Sequence, residues 1–273
     1  VSGKAESDIK VNSIGEIDYS LGLRFDNFSD VGKSLSSFLG ILFKPEVPGF
    51  QAKFQISSNF RPPSFNEMYY LNYGNSDLRP EKSISLNLGL MNNTFDKINF
   101  QLDGFYMITN DRIVSVPKSQ ISWSAENISK VITKGFEISA NIYLFKKYLY
   151  FNLAYTYQDA RNSAEDDNNY GKLIVYMPQE IISGSVVFQY ENFTLGTTLR
   201  YSGYYFSLPD NSYESIIDGY SLLDSYLNYC WILGKVDINF RFDCRNIFDE
   251  QYEIIKNYPM PGRSFRIGMA IIY

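Results

Sequence analysis

From residue 235 to 245 polar and apolar residues alternate without a break. Lys235, Asp237, Asn239, Arg241, Asp243 and Arg245 occupy the odd positions, and Val236, Ile238, Phe240, Phe242 and Cys244 the even ones. A period of two is the period of a β-strand with one wet and one apolar face. The last stretch repeats it, with Phe265, Ile267, Met269, Ile271 and Tyr273 on one face. Ten more segments carry such a face, at 17–25, 35–43, 50–56, 84–90, 98–108, 136–144, 149–157, 182–190, 193–201 and 223–231. None of the twelve apolar faces includes a charged residue.

The connections alternate too. Those at 44–49, 92–97, 146–147, 191–192 and 232–234 are short, and those at 59–80, 110–131, 159–177, 207–218 and 248–262 are long; only the one near 27–33 is short where a long one is due. Strands of about ten residues, short turns on one side and long loops on the other fit a transmembrane β-barrel whose apolar face points outward. Alternation alone leaves the sidedness open, because a soluble sandwich or lipocalin-like barrel turns its apolar face inward.

Composition narrows the choice. Aromatics make up 17 % of the 273 residues, with 23 Tyr and 21 Phe, which suits interfacial girdles. A net charge of −5 gives no electrostatic support to nucleic-acid binding. No apolar run is long enough for a transmembrane helix. Cys230 and Cys244 fall on neighbouring strands; with the turn near Leu233 and Gly234, Cys230 lies opposite about Asp237, and Cys244 is too distant for a disulfide. There is no histidine, no nucleophile beside a base and no cysteine pair at metal spacing, so neither catalysis nor a resident cofactor or metal is expected. The acidic run Glu165-Asp166-Asp167 reads as a solvated loop tip rather than a Ca²⁺ site.

Three motifs go further. Asn246-Ile247-Phe248-Asp249-Glu250-Gln251-Tyr252 leads to Pro261-Gly262-Arg263 and the final strand; Phe60-Arg61-Pro62-Pro63-Ser64-Phe65-Asn66-Glu67-Met68-Tyr69 is followed by Gly74-Asn75 and Pro80-Glu81-Lys82; Glu126-Asn127 precedes Gly135-Phe136-Glu137. In order and spacing this set resembles the C-terminal part of TonB-dependent outer-membrane receptors, over about 50–273. Arg266, Gly268, Ile271 and Tyr273 resemble the C-terminal signal read by the barrel-assembly machinery.

The resemblance implies an all-β, antiparallel transmembrane barrel of 22 strands around an N-terminal plug. The twelve strands correspond to the last twelve, so residues 1–273 are expected to be a partial barrel domain that lacks the plug and first ten strands, as a fragment of a longer chain or as one product of a split gene whose partner supplies the rest. It also implies the outer membrane of a Gram-negative bacterium, outer-membrane lipid and the TonB complex (through the plug) as partners, and energised import of a bulky nutrient such as cobalamin or an iron complex (haem, siderophore). A structural or adhesion barrel and a soluble all-β binding module are the alternatives. Haem receptors of this family place a histidine in the loop matching 60–78, where this chain has Met68, Tyr69, Tyr70 and Tyr73. The 60–82 box most resembles cobalamin receptors. Arg61, Met68, Tyr69, Tyr70, Tyr73, Tyr204, Tyr205 and Tyr213 are the expected ligand-binding residues, although tyrosines in such loops also serve simply as packing.

Overall fold

The computed structural model describes residues 2–11, 14–28, 32–95, 97–119, 122–145 and 148–273. Its first strands are β1 (Ser2–Val11), β2 (Gly15–Phe28), β3 (Gly32–Pro45) and β4 (Phe50–Arg61), followed by a single-turn helix α1 (Phe65–Tyr69). Then come β5 (Glu81–Phe95), β6 (Ile98–Pro117), β7 (Trp123–Leu144), β8 (Leu149–Asn162), β9 (Glu180–Tyr190) and β10 (Phe193–Ser202). The chain ends with β11 (Tyr205–Phe206), β12 (Ile216–Ile217), β13 (Tyr220–Leu233), β14 (Val236–Arg245), β15 (Glu253–Ile255), β16 (Tyr258–Pro259) and β17 (Ser264–Ile272). Thirteen of these form one sheet in the order β1 to β10, β13, β14, β17, antiparallel where they pair, and the sheet does not close on itself. β11 pairs with β12, and β15 with β16, as small ribbons in the loops.

All twelve predicted strands are present, and β1 is one more. Its face of Gly3, Ala5, Ser7 and Ile9 is too weakly apolar to stand out in sequence, yet it stacks in register on Leu23, Leu21, Tyr19 and Ile17 of β2. The apolar face is the exposed one: Ile84 is 60 % accessible and Ile267 83 %. The buried apolar residues among those described are few and lie mainly at the loop end of the sheet. That is the inverse of a sandwich core, and it decides for the outward apolar face. The opposite face carries paired charges, such as Lys53–Asp103 and Lys44–Asp18 (each 2.6 Å).

Two expectations are corrected. The stretch 110–131 is not a long loop. β6 and β7 stay paired out to Pro117 and Trp123, because Ile113, Val114, Val116, Ala125 and Ile128 continue the ladder. The β13–β14 turn pairs Leu233 with Val236 around Gly234 (φ +66°), so Cys230 faces Asn239 rather than Asp237. Cys244 faces Ser225; both thiols are free. The 146–147 turn and the tip of the 27–33 turn lie outside the described residues, although Phe28 and Gly32 pair across the latter.

Candidate functional site

The 62–80 segment is a built structure rather than a flexible loop. Ser64 and Glu67 form a capping box: Ser64 N donates to Glu67 Oε2 (2.7 Å) and Glu67 N to Ser64 Oγ (3.3 Å). This Ser-x-x-Glu spacing was the sequence signal for α1, which the strand-based reading passed over. Gly74 lies flat on the end of α1, where a Cβ would come within 2.7 Å of the Met68 carbonyl and Tyr69 nitrogen.

Arg61, at the end of β4, clamps this turn to the sheet. Its Nη1 donates to both Glu67 oxygens (3.1 and 3.0 Å), and its Nη2 to Glu81 Oε1 (2.8 Å) on β5. Glu81 Oε1 also accepts from Ile113 N at 2.8 Å. Burial pushes the Glu67 carboxyl up, but the hydrogen bonds from Ser64 and Arg61 outweigh it and hold the group below its usual range. Asn127 on β7 bonds the chain at Arg79 and the Asp111 carbonyl, while Arg79 Nε donates to Asp111 Oδ1 (2.8 Å). Leu78, Ile113 and Ala125 make a small core, with Tyr73 packed on it and the Tyr73 and Ser115 hydroxyls 2.7 Å apart. Among the polar residues of the motifs, Arg61, Glu67 and Glu81 thus form one clamp and Asn127 a second tie at Arg79 and Asp111, and both fix the loop.

A second loop system faces it. Ile174 N donates to Ala160 O (3.0 Å), and Val131, Ala160 and Ile174 bury one another. Leu173 is held by the Asn211 side chain, which accepts from its N–H (2.7 Å) and donates to its carbonyl (3.1 Å). Tyr176 N donates to Phe206 O (2.9 Å). Tyr205 is buried, its hydroxyl donating to Ile254 O (2.9 Å), and burial together with the negative charge of neighbouring phenols and Glu253 pushes its phenol up to about 12.

Between the two systems lies an open groove of about 780 Å³, lined by Tyr70, Leu71, Tyr73, Ile113, Val114, Trp123, Ile174 to Met177 and Ile255. The Trp123 and Tyr176 rings lie 5.3 Å apart. Among the described residues of the lining, Arg112 is the one that is charged, its Nε 4.0 Å from Glu81 Oε1. Aromatic and aliphatic walls with a few amide and hydroxyl groups suit a large, weakly charged ligand.

Of the expected ligand residues, Tyr70 and Tyr73 line this groove and Met68, Tyr69, Tyr204 and Tyr213 do not. Tyr69, Tyr204 and Tyr213 are exposed elsewhere, Tyr213 at 87 %. Arg61 is committed to its two carboxylates. Trp123, Val175, Tyr176 and Met177 were missed. Trp123 sits in the stretch read as loop, and only its place at the start of β7 aims it here. Asp167 caps its own turn, accepting from Asn162 Nδ2 and Asn169 N (both 2.8 Å). Arg266, Gly268 and Ile271 lie on β17, paired with Asp243, Arg241 and Ile238, and Tyr273 follows it, fully exposed.

The fold is shared with known receptors. Over 99 % of its length the chain superposes on 44 % of the ferric citrate transporter in its unliganded form (TM-score 0.75, 16 % identity). It does so on 45 % of a ferric enterobactin receptor from Pseudomonas aeruginosa (TM-score 0.73, 17 % identity). In sequence it is 24 % identical over 255 residues to a vitamin B12 transporter of Vibrio cholerae, covering 91 % of this chain and 39 % of that protein. With a vitamin B12 transporter of Photobacterium profundum the identity is 23 % over 222 residues, covering 78 % and 34 %. The chain therefore spans less than two-fifths of the length of these curated relatives. The model of the TonB dependent receptor-like β-barrel matches residues 5–247, and the chain belongs to that family.

Proposed function

We propose that this chain is the C-terminal part of an outer-membrane receptor that imports a bulky nutrient in a TonB-dependent step. The observation that carries the reading is the apolar groove between two rigid loop systems at the long-loop end of a family barrel. The charged concavity of about 1070 Å³ on the polar face, walled by Asp18, Lys44, Lys53 and Asp103, is room for a plug supplied by the rest of the protein.

Among nutrients, a corrinoid fits this lining better than a highly charged iron chelate. The groove offers ring faces at Tyr70, Tyr73, Trp123 and Tyr176 and a single cation already close to Glu81. The names of the sequence relatives point the same way.

The test is uptake. Cells carrying only the full-length receptor should accumulate labelled cyanocobalamin, and dissipating the proton-motive force should stop accumulation while leaving surface binding intact. Accumulation of ferric citrate or ferric enterobactin instead keeps the transport reading and overturns the corrinoid. No energised uptake of any of the three favours a structural or adhesion barrel.

A further inference from the structure

The groove and the loop network leave one charged patch unexplained, on the opposite face of the sheet. Where the apolar face of β5 ends at Ile84, the next outward residue is Lys82. On β7 the outward residues beyond Phe136 are Lys134, Ile132 and Lys130, so the apolar face gives way to lysine from the level of Tyr106 upward. Burial confirms their direction: Lys130 and Lys134 are exposed, while Val131 and Thr133 between them are buried. Lys82 pairs with Asn110 and Asn110 with Lys130, so the two lysines flank an asparagine in one row. Across two strand spacings their backbones are about 10 Å apart.

This row lies where the membrane band ends. From Ile98 to Ile108 the outward face of β6 is apolar, and at a barrel tilt of about 40° those ten steps climb about 25 Å, the height of such a band. Neither Lys82, Lys130 nor Lys134 has an ion-pair partner among the described residues. The facing carboxylate, Asp159 opposite Lys134, is occupied by Arg161 (2.9 and 3.0 Å) and by Gln179 Nε2 (3.1 Å). Glu180 accepts from the Tyr155 hydroxyl at 3.1 Å. The rim is not uniformly cationic: where the apolar faces of β9, β10 and β13 end, the outward residues are Glu180, Tyr201 and Ser221.

We propose that Lys82 and Lys130 form a site for the phosphate of an anionic lipid headgroup in the leaflet on the long-loop side. Their methylene stems lie along the apolar band, and their ammonium groups reach the headgroup layer. The occupant is a lipid rather than a free anion, because the patch opens sideways over apolar surface that acyl chains must cover. Each lysine near an anionic headgroup is worth roughly fivefold in affinity.

The experiment uses the full-length receptor in detergent, with retained lipid counted by native mass spectrometry. Phosphatidylglycerol should be retained over phosphatidylcholine, and inorganic phosphate should not displace it. K82Q/K130Q should lower phosphatidylglycerol retention by tenfold or more and leave phosphatidylcholine unchanged. K82R/K130R should restore it, and Asn110→Lys should raise it. Nutrient binding should be the same in all four proteins, which separates this site from the groove. Equal retention of the two lipids by the wild type, no change in K82Q/K130Q, or displacement by millimolar phosphate overturns the proposal.

Discussion

Asn127 holds Arg79 from both sides of its peptide unit: Asn127 Oδ1 accepts from Arg79 N at 2.8 Å, and Asn127 Nδ2 donates to Arg79 O at 3.0 Å. The same Nδ2 donates to the Asp111 carbonyl at 2.7 Å. One amide side chain thus does for the 62–80 segment what a neighbouring strand does for a strand.

Asn127→Ala removes these bonds and leaves backbone groups without partners, at a cost of about 1–3 kcal/mol. The barrel should stay folded, since its ladders do not use this side chain. Protease should cut within 62–80 at a rate at least ten times that of the wild type. Unchanged cleavage would show that the Arg61 clamp, the Leu78 core and the Arg79–Asp111 bond hold the segment without Asn127.

The Arg61–Glu67 clamp should depend on pH. Hydrogen bonds hold the folded Glu67 carboxyl below its ordinary 4.5, so the unfolded loop takes up the proton first. The stabilisation is therefore complete above that value and lost as pH falls below it. Amide exchange of α1 in the wild type should accelerate below about pH 4.5, and Glu67→Gln should exchange fast and without that pH dependence. A wild-type profile that stays flat to pH 3 excludes the clamp as the anchor.

Trp123→Ala and Tyr176→Ala each remove a groove wall without touching a barrel ladder contact across the membrane. Each should weaken nutrient binding by roughly tenfold, the loss of about 1.4 kcal/mol of ring contact. Tyr213→Ala, at a side chain 87 % exposed and outside the groove, should change nothing. Equilibrium titration of the three variants decides whether the groove or the exposed tyrosines carry the ligand.

Gly74→Ala should disorder the loop while Gly104→Ala is silent. A Cβ at position 74 meets the Met68 and Tyr69 backbone at 2.7 Å, whereas at 104 nothing lies within 4 Å. Backbone cannot swing aside as a side chain can, so the end of α1 must unwind. The circular-dichroism spectrum of the barrel should be the same in both, and only Gly74→Ala should lose nutrient binding.

What the sequence alone makes legible follows from how each signal arises. A strand that crosses a bilayer beside a wet lumen must alternate at every step, so faces such as 84–90 and 265–273 could be read directly. β1 escaped because Gly3, Ala5 and Ser7 carry little apolar signal, and its assignment rests on its register with β2. The extension of β6 and β7 escaped because beyond Asn110 both faces are covered by or exposed to things other than lipid, and the period of two fades.

The ligand residues were legible only as types. A tyrosine in a loop reads the same whether it is buried like Tyr205, exposed like Tyr213 or lining a groove like Tyr70. The motif residues were recognisable as a family signature, but their job was not. That Arg61 reaches Glu81 and Asn127 reaches Arg79 depends on contacts between residues 20 and 48 positions apart.

The sequence by itself determined the strand faces, the sidedness of the loops and the family, because alternation and turn chemistry are local along the chain. Only the tertiary structure decided which loop side chains line the groove, which lock the loops and where the lysine row sits against the apolar band. Those are set by register between strands and by loops folding back on the sheet, and neither leaves a period in the sequence.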